Sequence, residues 1–138
     1  MMLIDQWEQI GRKLTALAEE FPEDRYEFGP IQDVRTFADV LRHVAFWNQY
    51  VALTARGKEA DDKLNELPKA EYSSKAKIID VLRRSIAEAA AAMKEHSAGA
   101  EPKTGEMIVA FIEHNCEHYG QLAVYARLNG MVPPASRA

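Results

Sequence analysis

The sequence predicts an all-α fold, a four-helix bundle with a long crossover connection, filling one domain over residues 1–138. Three observations predict it. Apolar residues recur at spacings of three and four in four separate segments. No segment alternates apolar and polar residues as a half-buried strand would. One polar connection is too long for a tight hairpin, so it has to cross the bundle.

The first helix covers about residues 3 to 20, where Ile4, Trp7, Ile10, Leu14 and Leu17 form one stripe that continues to Phe21. The run "FPEDRYEFGP" ends it, because two prolines and a glycine within ten residues cannot continue a helix. Thr36 is placed to cap the second helix, with Asp39 favouring its positive end. That helix reads "FADVLRHVAFWNQYVALTA" and stops at Gly57. The polar stretch "KEADDKLNELPKAEY", broken by Pro68, is the crossover. The third helix starts near Ser73 or Ser74 and carries Ile78, Ile79, Leu82, Ile86, Ala89, Ala90 and Met93 on a broad face, helped by its alanine run. "SAGAEPK" breaks it. Thr104 is placed to cap the fourth helix, which ends at Asn129 with Gly130 in the stop position and Pro133-Pro134 beyond.

Composition excludes several function classes. A chain of 138 residues buries about two-thirds of its unfolded surface without staples. Its net charge of −4 and the lack of a Lys/Arg block argue against nucleic acid as a partner. A single cysteine, Cys116, excludes an intramolecular disulfide and fits a reducing compartment. The first residues are too polar for a signal peptide, and no apolar run reaches the roughly 20 residues of a membrane span. A cytoplasmic protein with no membrane partner is expected.

The chemistry concentrates on histidines. At about 100° per residue, His114 and His118 lie one turn apart on the fourth helix, on a stripe shared with Met107, Phe111, Gln121 and Tyr125. His43 shares its face of the second helix with Val40, Trp47, Tyr50 and Thr54, so it too points at the core. Three inward imidazoles from two helices suit a three-nitrogen metal site with open positions. Buried histidines can equally be core residues satisfied by hydrogen bonds, and periodicity leaves both readings open. His96 ends the third helix, where a cation suits the helix dipole.

Other candidates rank around these three. Cys116 lies on the far side of its helix from the two histidines, so it cannot join them. With Ile112, Tyr119 and Ala123 it forms a second apolar face, which a homodimer would cover unless the helix is central. Glu117 is placed at the edge of the histidine stripe, as a base or as a solvated side chain. Asp39, one turn before His43, could hold an imidazole from behind or simply serve the helix start. Trp47, Tyr50, Phe111, Gln121 and Tyr125 would line a pocket that is largely apolar with a few polar contacts.

"VRTFADVLRHVAFWN", followed about 70 residues later by "EHNCEHYGQLAVYARLNGMVPP", resembles the DinB-like (DinB/YfiT) family of bacterial metalloenzymes. The histidines, Gly-Gln-Leu, Tyr-x-Arg and Gly-x-x-Pro-Pro occur in the family's order over nearly the whole chain. The resemblance implies a four-helix bundle of unusual connectivity, often dimeric. It also implies a divalent ion, nickel or zinc, held by three histidines that map onto His43, His114 and His118. Many relatives carry arginine after the last histidine, where this chain has Tyr119. Some relatives are transferases or isomerases that use a low-molecular-weight thiol.

Two functions from different classes follow. The first is a divalent-metal-dependent enzyme, a transferase, isomerase or hydrolase acting on a small molecule with a thiol as co-substrate. The second is a non-catalytic metal- or ligand-binding stress-response module that keeps the bundle and the ion.

Overall fold

The bounds of each helix follow from side-chain chemistry at its ends. The computed structural model describes residues 2–96 and 102–137. Among them the regular elements are all helical: α1 (Met2–Glu20), α2 (Phe37–Ala55), α3 (Lys75–Glu95) and α4 (Pro102–Leu128), with 3-10 turns at Glu23–Arg25 and Pro134–Ser136. Thr36 opens α2 with a reciprocal capping box. Its hydroxyl accepts from the Asp39 N–H at 3.0 Å while Asp39 accepts from the Thr36 N–H at 3.4 Å. Ser74 caps α3 by accepting from the Lys77 N–H. Gly57 and Gly130, at φ +73° and +76°, supply the left-handed residues past α2 and α4.

α4 begins two residues before the expected cap at Thr104. Pro102 explains this, since its fixed φ suits a first turn that leaves its N–H groups unused. Of the breaker "SAGAEPK", residues 97–101 lie outside the described residues.

Cross-helix contacts define the connectivity. Arg42 meets Tyr72 just ahead of α3, Asn48 meets Ser85, and Arg56 meets Glu88 and Glu95, so α2 and α3 run parallel. His43 lies beside His118 and Tyr50 beside Phe111, so α4 opposes α2. α1 runs against α3, with Trp7 Nε1 donating to the Ile86 carbonyl and Lys75 Nζ to the Phe21 carbonyl. It runs alongside α4, with Lys13 over Tyr119 and Arg25 bonded to Asn129. The neighbours around the bundle are therefore α1, α3, α2 and α4, in that order.

Two parallel neighbours require a return path. The 19 residues of α2 span about 28 Å, which some nine extended residues can cover. Residues 56–74 exceed that need, and the surplus folds back over α2. There the Leu67 N–H donates to the Arg42 carbonyl, and the Leu67 side chain packs among Ala45, Phe46 and Val81. The crossover thus arrives beside His43.

The core has two large parts. Leu14, Leu17, Phe21, Phe37, Leu41, Leu82 and Leu122 fill one end, with Phe21 and Phe37 stacked at 3.8 Å. Trp7, Val51, Met93 and Ile108 fill the other. α1 and α3 approach closely, since a Cβ on Gly11 would stand 2.7 Å from Ile86 Cγ2. α4 is central. Tyr119 and Ile112, on the apolar face that sequence reading offered to a dimer, pack against clusters that include α1 residues, and Cys116 is exposed.

Candidate metal centre

His43 projects from the middle of α2, while His114 and His118 project from adjacent turns of α4. Antiparallel packing brings the three rings together, with centroids 4.9, 4.7 and 4.5 Å apart. The Nε2 atoms of His43 and His114 are 3.0 Å apart. One ligand atom from each of the three lies within 4.8 Å of the other two. Nitrogens that share one ion at about 2.0–2.1 Å stand on the order of 3.3 Å apart in tetrahedral geometry, so the spacing fits a common ion.

The outward nitrogens have partners of their own. His43 Nδ1 lies 2.6 Å from the Asn65 carbonyl oxygen. That oxygen can only accept, so Nδ1 holds the proton and Nε2 presents a lone pair inward. His118 Nδ1 lies 2.9 Å from Gln121 Oε1, Gln121 Nε2 donates to Tyr125 Oη, and Tyr125 Oη donates to the Arg35 carbonyl. This chain also ends on an acceptor, which fixes the Gln121 amide and puts a proton on His118 Nδ1, so that the neutral ring presents its lone pair on Nε2. His114 Nδ1 faces Asn115 Oδ1 at 3.2 Å.

Electrostatics favour the neutral form of His43 and His114. Burial pushes the pKa of His43 down to about 4, helped by Arg35 and the other two histidines and opposed by the Asn65 carbonyl. Burial and His118 lower that of His114 in the same way, against Asn115 and Glu117. Neutral imidazoles are the form that binds a divalent ion. Inward lone pairs at 3.0 Å repel each other unless a cation lies between them. The donor set therefore suits a metal.

The other expected site residues divide into two groups. Trp47, Tyr50 and Phe111 form an aromatic wall, Trp47 stacked on Phe111 at 5.5 Å and Phe111 edge-on to His114 at 5.7 Å. Gln121 and Tyr125 hold His118 as just described. A cavity of about 430 Å³ opens one turn beyond Phe111, lined by Tyr50, Thr54, Lys103, Thr104, Glu106 and Met107. Asp39 does not reach an imidazole. Its carboxylate is taken by Arg42 at 2.7 Å and by the Thr36 N–H, because Arg42 is fully buried and needs counter-charge from Asp39 and Glu27. Glu117 is exposed and bonds to none of the three rings.

Sequence reasoning missed four residues. Asn65 sits in the crossover at φ +67°, its carbonyl on His43 and its Oδ1 accepting from Trp47 Nε1 at 2.9 Å. No periodicity announces a loop residue of this kind. Asn48, Ser85 and Asn115 are buried and bonded to one another. Each is a polar residue on an otherwise apolar helical stripe, a signal that was available.

Fold and centre together define a class: an all-α bundle whose antiparallel α2 and α4 gather three histidines with their Nε2 atoms inward. The chain belongs to the DinB superfamily, whose family model matches residues 6–122. No curated protein matches the chain.

Proposed function

We propose that the protein is a divalent-metal-dependent enzyme that acts on a small molecule, with His43, His114 and His118 as ligands of a nickel or zinc ion. The observation that carries this reading is the convergence of three imidazoles, one buried and two half-buried, each with an acceptor facing its Nδ1. When bound, the ion would supply Lewis acidity to a substrate oxygen or to the thiol of a co-substrate. The wall of Trp47, Tyr50 and Phe111 gives one side of the centre an apolar lining, and the adjoining cavity, which Lys103 and Glu106 help to line, has room for a small ligand.

A thiol-dependent transfer, isomerisation or hydrolysis is the version offered for assay. Metal analysis of protein purified without a histidine tag is expected to give one ion per chain, and His114→Ala is expected to lose it. A metal-free preparation, or an unchanged His114→Ala, ends the proposal.

One observation favours the non-catalytic binding module. Among the described residues, no carboxylate pairs with the three imidazoles, so Glu117 would have to move inward to serve as a base. Stoichiometric metal without turnover across a panel of thiols and electrophiles would select that reading. A homodimer belongs to either version. With Ile112 and Tyr119 packed toward α1, the apolar strip left for a second copy is Val109, Val124 and Leu128.

A further inference from the structure

α3 supplies no histidine to the centre, yet a buried polar run leads from it to His114. Its starting point is the Leu82 carbonyl, which can only accept, and Ser85 Oγ donates to it at 2.8 Å. The single hydroxyl proton is then used. Ser85 Oγ can only accept from Asn48, which must turn Nδ2 toward it at 3.2 Å. Asn48 Oδ1 therefore faces Asn115, which must give its Nδ2 at 3.0 Å. That leaves Asn115 Oδ1 toward His114 Nδ1 at 3.2 Å, and an amide oxygen accepts. Reversing Asn48 would set like groups against each other at both of its bonds, and reversing Asn115 would do so at its bond to Asn48. Asn48, Ser85 and Asn115 are each at most 2% exposed, so water does not substitute for a lost partner.

We infer that Ser85, Asn48 and Asn115 are positioning residues: a relay of fixed polarity through which α3 keeps the proton of His114 on Nδ1 and its Nε2 lone pair on the centre. This rests on the three-histidine metal reading and extends it to a helix that carries no ligand. Each ring is then oriented by a separate anchor that ends on a backbone carbonyl: Asn65 for His43, Leu82 for His114 and Arg35 for His118. A neutral imidazole free in water favours the proton on Nε2, so three rings held the other way need such anchors.

The test reads tautomers directly, by nitrogen NMR of histidine-labelled, metal-free protein at neutral pH, together with Zn²⁺ titration. In the wild type, His114 is expected to be protonated on Nδ1. In Ser85→Ala, His114 should become a mixture of tautomers, and Zn²⁺ affinity should fall by about 10-fold. His43 and His118 should keep their tautomers, which separates the relay from general loosening of the core. Ser85→Thr restores the hydroxyl and should recover both readouts. Asn115→Ala, which removes the acceptor itself, should do at least as much damage as Ser85→Ala. A wild-type His114 protonated on Nε2, or a Ser85→Ala protein with unchanged spectrum and affinity, overturns the relay. A wild type that has the expected tautomers but binds no Zn²⁺ overturns the metal reading and leaves the relay standing.

Discussion

Asn65 joins backbone conformation, loop path and metal site in one residue, and two substitutions separate its contributions. Its φ of +67° is left-handed, which asparagine tolerates and alanine does not. Asn65→Ala forces a β-carbon into that region and deletes the bond from Trp47 Nε1. The two losses sum to about 1.5–2.5 kcal/mol, the bond counted at the low end because it is solvent-exposed. Asn65→Gly deletes the same bond but accepts the conformation, and should cost about 1 kcal/mol, including the added freedom of the unfolded chain. Only the alanine variant strains the carbonyl away from His43 Nδ1, now 2.6 Å distant. Urea unfolding and Zn²⁺ titration of both variants provide the assay. The expected order is wild type, then Gly, then Ala in both, with Zn²⁺ binding weakened about 10-fold or more in Ala and nearly intact in Gly. Equal losses in Gly and Ala would show that backbone conformation is not what Asn65 contributes. An Ala variant with full affinity would detach the crossover from the centre.

Two of the helical glycines, Gly11 and Gly120, should respond in opposite directions. Gly120→Ala meets nothing within 4 Å and should stabilise by about 0.5–1 kcal/mol, whereas Gly11→Ala drives a β-carbon onto Ile86 and should destabilise by about 1 kcal/mol or more; a gain in both, by thermal unfolding, would refute the close approach of α1 and α3. The metal-free protein should lose stability on acidification. His43 titrates near 6.5 in the unfolded chain and near 4 in the fold, so between those values the unfolded state binds the extra proton and stability falls by about 1.4 kcal/mol per pH unit as pH drops. Urea unfolding at descending pH checks this, and a slope unchanged in His43→Asn would remove His43 as its source. Sedimentation should give the mass of two chains, and Leu128→Glu that of one; a wild-type monomer would dismiss the exposed strip of α4 as an interface.

Much of this was legible because the information is local. Thr36 and Ser74 cap where capping chemistry requires, and Gly57 and Gly130 take the left-handed conformation that ends a helix. The faces of α2 and α4 follow from the helical period, which put His43, His114 and His118 inward and turned Cys116 away. The length of the crossover implied a path across the bundle, and parallel α2 and α3 require one. What failed to be legible depends on which segments meet in space. Nothing in the helical period marks Arg42 as buried; it is buried because Glu27, Asp39 and the Tyr72 carbonyl, from two connections and its own helix, surround its guanidinium. That same pairing takes Asp39 away from His43. The Asn65 carbonyl is a backbone group, and no side-chain pattern encodes where a backbone oxygen will point.

Asn48, Ser85 and Asn115 are the instructive middle case. Each stands where the helical period calls for an apolar side chain, with Ala45 and Ala52 flanking Asn48 and Ala89 following Ser85 on buried stripes. A buried amide or hydroxyl without partners costs about 1–3 kcal/mol, so three such residues on three different helices are tolerated only if they meet. An apolar side chain of similar size at each position would fill the same space and carry no such risk. Their presence therefore asks for a role that packing does not supply, and a histidine stands at the open end of the run. The polarity fixed by the Leu82 carbonyl offers one: it selects a single state of His114, which an apolar core could pack against but could not orient.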